Sequence, residues 1–519
     1  MQKLPLGVQD FRKLREDNLL YVDKTEDIFR LIDSGYYYFL SRPRRFGKSL
    51  LISTLKEIFS GSKELFQGLW IEDKIEWIEH PVVHISFNAI GYKDLGLERA
   101  IEERLKDIAS RYGVALSKTG VAPKFAELIQ KLNQIFGKKV VLLIDEYDKP
   151  IVDYIDDLET ADKQREVLKN FYSIIKNSDE FIRFFLVTGV SKFSRVSLFS
   201  DLNNLRDITL SPKFSCVTGY TPEELTQYFG DRIDQMSENQ GINKNDLIEK
   251  ITEWYDGYSW DGKNRLFNPF SILCFFSDEN FSNYWWHTGT PTFLIKLLRK
   301  EMHYQFEKIK AGESIFESYN LQNLEFRSLM FQTGYLTILS VSPMGSYTLG
   351  YPNKEVRDSM YQHLLGAFRE GYSVDSNPLV EQIILALFDK DIEEFIKGIN
   401  ILFESLPYQI FISDQEAFFH AILHISFHLM GIHIDSEVST AKGRVDTIIK
   451  TESYIYIIEF KLDQSADEAL NQIREQRYGS KYLNQGKEVI ALGVSFSSKL
   501  KAVAEWKMMS YEDLMVNGY

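Results

Sequence analysis

The chain has 519 residues, of which 44% are hydrophobic and 14% aromatic, which is enough for about two to four domains with well-packed cores. Its formal net charge of −14 excludes a protein that coats nucleic acid with its whole surface. Disulfides are not required with only two cysteines, and no signal-peptide core or apolar run of about 20 residues is found. The composition therefore predicts a cytoplasmic protein without a membrane segment.

The first predicted site follows a strand with the letters YYYFLS near the N-terminus. The next loop ends in Gly47, Lys48 and Ser49 and leads into an amphipathic helix, which is typical of a phosphate-binding loop. Main-chain N–H groups of such a loop hold phosphates, so that nucleotide binding is assigned to Arg45, Phe46 and Gly47. We expect Lys48 to reach the terminal phosphates of ATP and Ser49 to bind Mg²⁺.

The loop departs from the usual pattern at its first position. Arg42 stands where a glycine is expected, so that the loop reads RPRRFGKS. Together with Arg44 and Arg45 it forms a basic cluster. We expect this cluster to serve nucleotide phosphates or a contact between domains rather than DNA.

A second motif, KKVVLLIDEYDKP, supports the first. The continuous apolar run Val140 to Ile144 predicts a strand that is buried on both faces of a parallel sheet, and the run ends in Asp145 and Glu146. In phosphate-loop ATPases an aspartate at this position holds the Mg²⁺ shell and the glutamate activates water. Asp145 is therefore predicted to bind magnesium and nucleotide, and Glu146 to be catalytic.

A third apolar strand, FIRFFLVTG, carries Thr188, which we also assign to the nucleotide site. Ser191, Lys192 and Arg195 follow it, at a place where a residue that senses the terminal phosphate would lie. The three strands and their helices predict an α/β domain built on a parallel sheet.

The letters PLGVQDF, YVDKT, RPRRFGKSL, LLIDEYD, TGVSKFSR and LNNLRDITL resemble the N-terminal AAA-ATPase-like domain of a family of bacterial proteins. RPRRFGKS is the usual form of the loop in that family. The resemblance implies an ATP-binding domain, and it covers most of residues 1–275 together with about 411–500.

Beyond this domain the sequence predicts three further regions. A helix start at Thr221, with Pro222 and an acidic first turn, opens a helical and winged lid over the nucleotide. Helices then dominate up to a linker near residue 410, apart from a short β-like patch at GYLTILSVSPMGSYTLGYP. The expected domains are an AAA-like ATPase domain (1–211), a helical or winged lid (212–290), a helical middle region (291–410) and a C-terminal α/β domain (411–519).

A predicted helix near the start of the last domain carries Glu416, His420, His424 and His428. Neighbouring pairs lie on adjacent turns and could bind a transition metal. A four-residue spacing drifts around a helix by about 40° per step, so at most two or three of these side chains could share one ion. The alternative is a half-polar helix face that packs beside the next element.

That next element is a predicted hairpin, GRVDTIIKTESYIYIIEFK. If Glu452 and Ser453 form a two-residue loop, antiparallel pairing places Asp446 opposite Glu459. Side chains alternate along a strand, so Asp446, Glu459 and Lys461 project from one face. Two carboxylates can share Mg²⁺, which polarises a phosphate and acidifies water, while the lysine orients that water or stabilises charge. The alternative is a charged, solvent-facing hairpin edge.

Asp446 followed by Glu459-Phe460-Lys461 resembles the core of the PD-(D/E)XK nuclease superfamily. The stretch from Glu416 to Phe496 is similar to the C-terminal domain of the bacterial proteins noted above. The resemblance implies that Glu416 is a further acidic metal ligand and that Gln472, on the following helix, belongs to the catalytic site. It also implies DNA as the partner.

Positive charge near the hairpin could form a local basic groove for DNA, and a solvated helix face is the alternative. The residues concerned are Lys442, Arg444, Lys461, Arg474, Arg477, Lys481, Lys499, Lys501 and Lys507.

We expect Mg²⁺-dependent DNA cleavage gated by ATP, with a role in defence against foreign DNA. The alternative is an ATP-driven switch or assembly module whose nuclease fold only binds nucleic acid or protein. The sequence is compatible with a homo-oligomer and does not determine the oligomeric state.

Overall fold

The protein is described by a computed structural model. It describes residues 1–192, 198–199, 202, 204–285, 308–316, 325–368, 377–404, 433–439, 444–483 and 485–517. The chain forms two compact units, one of residues 1–294 and 306–356 and the other of residues 295–305 and 357–519. Within the described ranges, every helix is too short or too polar to cross a membrane.

The first unit is built on a five-stranded parallel sheet in the order β2-β3-β4-β1-β5. Its strands are β1 (Tyr37–Ser41), β2 (Val82–Ser86), β3 (Val140–Asp145), β4 (Ile182–Gly189) and β5 (Arg206–Asp207). Its helices are α1 (Phe11–Glu16), α2 (Thr25–Ser34), α3 (Lys48–Phe59), α4 (Tyr92–Leu95), α5 (Leu97–Arg111), α6 (Val121–Phe136), α7 (Lys149–Val152) and α8 (Leu158–Ser173).

Two strands of this sheet, β1 and β3, are buried along their whole length. All residues of β1 and of β3 are buried, and the apolar residues of α3 pack against the sheet in one core. The strands expected from YYYFLS, VVLLID and FIRFFLVTG are therefore confirmed. Because β1, β3 and β4 are adjacent and parallel, the loops at their carboxyl ends meet at one edge, which is where such sheets place ligand sites.

Three helices follow the sheet in the same unit: α9 (Pro222–Gln240), α10 (Lys244–Tyr255) and α11 (Pro269–Asp278). Helix α9 starts as expected, because Thr221 accepts from the N–H of Glu224 and Glu224 accepts from that of Thr221. The helices share a core of their own, which also includes Leu20 and Val22. We call residues 212–285 the lid segment; its winged character stays a prediction.

The first unit ends with α12 (Phe326–Thr333) and a small antiparallel sheet in the order β6-β8-β7. Its strands are β6 (Ile309–Ala311), β7 (Thr337–Val341) and β8 (Tyr347–Gly350), which confirms the expected β-like patch. Arg265 of the lid segment donates to the carbonyl of Ile338 at 2.9 Å. The small sheet thus contacts the lid segment, although the sequence analysis assigns its residues to a helical middle region.

The second unit is a mixed sheet in the order β13-β12-β11-β10-β9, with helices around it. Its strands are β9 (His433–Ser439), β10 (Arg444–Lys450), β11 (Tyr454–Leu462), β12 (Glu488–Ser497) and β13 (Ala502–Ser510). Helix α13 (Lys354–Phe368) enters this unit, which also contains α14 (Asn377–Phe388), α15 (Ile392–Glu404), α16 (Ala466–Gln476) and α17 (Tyr511–Asn517).

Both faces of this sheet are covered. One face packs against α16 and α17 through Ile457 and Leu470. On the other, the Tyr456 hydroxyl donates to the carbonyl of Leu387 at 2.7 Å, and the rings of Phe403 and Phe496 are 5.1 Å apart. Helices α14 and α15 therefore belong to the nuclease-like unit, although the sequence-based boundary at residue 411 separates them from it. The other expected domain boundaries stay predictions.

Candidate functional site

The phosphate-type loop connects β1 to α3 at the carboxyl edge of the parallel sheet. Gly47 has φ +88° immediately before α3, a left-handed conformation that favours glycine. Arg45 also has a positive φ, of 63°, and its side chain is exposed. The N-terminus of the 12-residue helix α3 thus follows a tight turn, an arrangement that favours a bound anion.

Lys48 is buried beneath this loop. Its ammonium donates to the carbonyls of Arg42 at 2.9 Å and Pro43 at 2.8 Å. Burial lowers the pKa of Lys48, and the nearby Asp145 carboxylate partly opposes that effect. The side chain therefore fixes the start of the loop and places positive charge next to the N-terminus of α3.

Three residues that are far apart in sequence meet at the ends of β3 and β4. The Ser49 hydroxyl donates to Asp145 Oδ2 at 2.7 Å, and the Thr188 hydroxyl donates to Asp145 Oδ1 at 2.6 Å. Asp145 is 4% exposed, so these two hydroxyl groups hold its carboxylate in place. The structure thus brings together two predicted magnesium ligands and a predicted nucleotide-site residue.

Glu146 has the uncommon features expected of a reactive group. Its φ of +54° is strained for a residue with a side chain. Burial raises the pKa of Glu146, and the adjacent Asp145 carboxylate raises it further. Among the described residues, its buried Oε2 atom has no hydrogen-bond partner. The carboxylate is therefore available to a group that the protein itself does not supply.

Asp148 is a site residue that the sequence analysis missed. Its carboxylate accepts from the N–H of Val190 at 3.1 Å, and from the N–H and hydroxyl of Ser191 at 2.6 and 2.7 Å. The available signal was the second aspartate of DEYD, three positions after Asp145. Asp148 fixes the main chain directly after β4.

The side chains at the expected phosphate-sensing positions have partners within the protein. Ser191 is committed to Asp148, as described above, and the Lys192 ammonium forms an ion pair with Asp207 at 2.8 Å. Lys192 also donates its main-chain N–H to the Gln332 side chain of α12 at 2.7 Å. Both side chains therefore stabilise the segment after β4, and their role in sensing the terminal phosphate stays a prediction. Arg195 lies outside the described residues.

These groups fit magnesium and a nucleoside triphosphate. Mg²⁺ prefers oxygen ligands such as carboxylates and hydroxyl groups. The Asp145 carboxylate and the Ser49 hydroxyl supply one of each, and a hydrogen bond joins them. The Glu146 Oε2 atom, without a partner among the described side chains, is an acceptor suited to water. The donor set is thus appropriate to the group that the sequence predicts.

In the second unit, β10 and β11 form the expected hairpin. Thr451 donates its N–H to the carbonyl of Tyr454 at 2.9 Å across the two-residue loop. Thr447 pairs with Ile458 and Lys450 with Ile455, which confirms the predicted register. Continued by one residue, this register places Asp446 across from Glu459. The Asp446 side chain lies outside the part of the chain that the structure describes.

Glu459 and Lys461 are close together on one face of β11. The Lys461 ammonium lies 3.3 Å from Glu459 Oε1. Glu459 is 1% exposed, whereas the Lys461 side chain is 17% exposed. Since Ile455 and Ile457 occupy the same face further back along the strand, the charged pair continues the face that packs against α16. A buried carboxylate and an ammonium that reaches the surface therefore mark the end of this face.

Helix α16, which carries Gln472, packs very closely on this face. Gly493 pairs with Glu459 in the β11–β12 ladder, and a Cβ on Gly493 would lie 2.4 Å from the carbonyl oxygen of Ala466. Gln472 is half-buried, and within the described ranges no hydrogen bond joins it to Glu459 or Lys461. Its catalytic role stays a prediction.

The metal-binding helix expected around Glu416 lies outside the described residues, together with His420, His424 and His428. In the described ranges, no group of three or more His, Cys, Asp or Glu side chains is arranged to hold a metal ion. Of the expected basic groove, Lys507 forms an ion pair with Asp467 at 2.6 Å, so that part of its charge is neutralised. Glu459 therefore stands as the described carboxylate of the hairpin site.

Comparison with known proteins yields matches at both ends of the chain. Residues 5–199 match the family described as predicted AAA-ATPase, and residues 414–506 match the PD-(D/E)XK nuclease superfamily. The chain is also 37% identical to a protein of Azotobacter chroococcum mcd 1 over 520 residues, which are 97% of this chain and 98% of that protein. That relative is named "Uncharacterized protein in vnfD 5'region".

Proposed function

Because the chain belongs to the family that joins a predicted AAA-ATPase domain to a PD-(D/E)XK nuclease superfamily domain, we propose that it is an ATP-dependent DNA nuclease. ATP and Mg²⁺ bind at the carboxyl edge of the parallel sheet in the first unit. DNA is cleaved at the β10–β11 hairpin of the second unit. ATP binding and hydrolysis in the first unit control this cleavage, which serves in defence against foreign DNA.

In the ATPase half, each described group has a role that follows from its position. The main chain of the loop and the N-terminus of α3 bind phosphates, and Lys48 supplies positive charge beside them. Ser49 and Asp145 would hold Mg²⁺, which neutralises phosphate charge when it is bound. Thr188 keeps the Asp145 carboxylate oriented, and Glu146 accepts a hydrogen bond or proton from the attacking water.

In the nuclease half, the observation that carries the proposal is the 3.3 Å contact between Lys461 and the buried Glu459 at the end of the hairpin. Asp446 faces Glu459 if the observed register continues by one residue, so that two carboxylates would hold Mg²⁺ at this place. The metal would supply a Lewis acid for the phosphate. Lys461 then orients water or stabilises the charge that develops on the phosphate.

A second candidate function has one observation in its favour. Glu459 is only 1% exposed, which limits the access of a hydrated metal ion to its carboxylate and suits a domain that binds nucleic acid or protein without cutting it. In that case the first unit acts as an ATP-driven switch. With either function we propose a cytoplasmic protein, which its two free cysteines support.

One experiment tests the proposal and separates the candidates. Purified protein is incubated with plasmid DNA and with single-stranded DNA, with and without Mg²⁺ and ATP. Cleavage that needs Mg²⁺, responds to ATP and is lost in Glu459→Gln supports the nuclease. DNA binding without cleavage under all conditions would overturn it in favour of the switch. Glu452→Gln, in the exposed turn of the same hairpin, is the matched control for the loss of a carboxylate.

A further inference from the structure

Arg42 opens the phosphate loop at the position where glycine is usual, yet its side chain does not face the solvent. It is 0% exposed, while the neighbouring Arg44 and Arg45 are exposed. A side chain at this position therefore enters the protein beneath the loop. The sequence-based alternatives for this residue were contact with phosphate or with another domain.

All hydrogen bonds of the Arg42 guanidinium go to main-chain carbonyls. One Nη atom donates to Ser41 and to Thr209, each at 2.9 Å, and the other donates to Phe214 at 3.4 Å. Thr209 and Phe214 lie just after β5, where the chain leaves the parallel sheet and enters the lid segment. Arg42 thus fastens the start of the loop to this connection.

The same guanidinium stacks on the lid segment. Its central carbon is 4.0 Å from the ring centre of Trp260, which is 4% exposed. Trp260 lies between Tyr258 and Leu266, whose main chains exchange hydrogen bonds of 3.2 and 2.9 Å. The face of an indole ring attracts a cation, and the attraction is stronger when both groups are removed from water.

A second residue of the loop contacts the same indole. Phe46 is 0% exposed, and its ring centre is 4.9 Å from that of Trp260, in an edge-to-face arrangement. The space around Phe46 is tight, because a Cβ on Gly219 would lie 2.6 Å from its ring. Trp260 is therefore held between the first position of the loop and the residue before Gly47.

Burial of the Arg42 guanidinium removes a charge from water, which costs free energy, so that packing by itself does not explain why a cation occupies this position. Burial lowers the pKa of Arg42 to about 9, although Asp207 opposes the shift, and the Nε atom has no partner among the described residues. An apolar side chain of similar size avoids that desolvation and is often at least as stabilising. What an apolar residue cannot supply is a rigid fork that joins three carbonyls and stacks on a ring at the same time.

We infer that Arg42 is a positioning residue that, together with Trp260, ties the conformation of the phosphate loop to the lid segment. This inference rests on the proposed ATP-binding function of the loop and names what sets its shape. The glycine of an ordinary phosphate loop allows a close turn but contacts nothing beyond the loop. Here nucleotide affinity depends on a contact with the lid segment. If only a fraction of the molecules holds the loop in the conformation that binds nucleotide, the apparent affinity is reduced in proportion to that fraction.

The test measures MgATP binding by calorimetry on the full-length protein and on variants of the two residues. Arg42→Lys keeps the charge and loses the fork, and Trp260→Leu removes the ring. Each should raise the dissociation constant about tenfold, which corresponds to about 1.4 kcal/mol. The double variant should be weaker than either single variant by less than the sum of the two effects, because both changes break the stacking contact that the two residues share. Trp260→Phe keeps an aromatic face and should restore most of the affinity.

Arg183→Lys is the matched control. The Arg183 guanidinium on β4 also lies near aromatic rings, at the longer distances of 5.6 Å from Tyr36 and 5.9 Å from Phe59. This change should lower the thermal midpoint without changing MgATP affinity. Wild-type affinity in both Arg42→Lys and Trp260→Leu would overturn the inference and leave the proposed function intact. If wild-type protein fails to bind MgATP, the proposed function falls, and the inference with it. Should Trp260→Leu not fold, Arg42→Lys carries the test.

Discussion

The two candidate sites are built in different ways. In the first unit, Ser49, Asp145 and Thr188 come from three separate segments of the chain and meet because β1, β3 and β4 are neighbours in one parallel sheet. In the second unit, Glu459 and Lys461 are two residues apart on one strand, and a two-residue turn sets the register of its partner. The first site thus depends on strand order, whereas the second depends on local geometry.

The difference has a consequence for how each site fails. Groups that hold each other across a sheet edge share one hydrogen-bond network, so the loss of one partner disturbs the others. Groups placed by a hairpin keep their positions when one side chain is changed, because the main-chain pairing is independent of it. Substitutions should therefore separate structure from chemistry more cleanly at the hairpin.

The largest expected effect is at the hairpin. Asp446→Ala, Glu459→Gln and Lys461→Ala should each reduce Mg²⁺-dependent DNA cleavage by about a thousandfold or more, because the metal or the attacking water loses its ligand. Thermal unfolding should change little for Glu459→Gln, since the strand pairing persists, whereas Lys461→Ala should lower the thermal midpoint because it removes the ion pair of the buried Glu459 carboxylate. Cleavage at the wild-type rate by Asp446→Ala, with contaminating nuclease excluded, would show that the site lies elsewhere.

At the sheet edge, Lys48→Ala should weaken MgATP binding by about a hundredfold, and Glu146→Gln should bind MgATP but turn it over far more slowly. Calorimetry and phosphate release measure the two effects. We also expect Lys48→Ala to lower the thermal midpoint, because the Lys48 ammonium of the wild type donates hydrogen bonds to the carbonyls of Arg42 and Pro43. Lys163→Ala, at an exposed ion pair on α8, is the control that should leave binding and stability unchanged.

A structural substitution tests how closely the hairpin site depends on α16. Gly493→Ala should destabilise the second unit by about 1–3 kcal/mol, because the new Cβ would overlap the carbonyl of Ala466. Gly230→Ala is the contrasting change, since a Cβ there has open space inside α9 and should stabilise by about 1 kcal/mol. Denaturant unfolding measures both. Equal stability for Gly493→Ala and the wild type would mean that α16 can shift without cost.

The smallest expected effect is communication between the two sites. Lys48→Ala should change the DNA cleavage rate about tenfold, although Lys48 belongs to the other unit. A nucleotide can bias the nuclease only if it binds the active and inactive states with different affinity, and tenfold corresponds to about 1.4 kcal/mol of coupling. Equal cleavage rates for wild type without nucleotide, wild type with ATP, and Lys48→Ala would show that the two activities are independent.

Much of the fold could be predicted because its signals are local. The runs before Ser41 and Asp145 are continuously apolar, as strands buried on both faces must be, and Thr221 with Glu224 marks a helix start by capping chemistry. The run YIYII in β11 is also continuously apolar, which indicates a strand that is buried on both faces of its sheet. It did not indicate that α14 and α15 supply one of the covers, because helix periodicity carries no information about the partner surface.

The sequence by itself determined where the phosphate loop and the hairpin lie, and it determined the hairpin register, because turn length and side-chain alternation act over a few residues. Only the tertiary structure decided the partners of long polar side chains. Arg42 turns inward to Trp260, and Ser191 and Lys192 bind Asp148 and Asp207. A buried charge or hydroxyl must find a partner, and which one it finds depends on the segments that folding brings beside it from elsewhere in the chain.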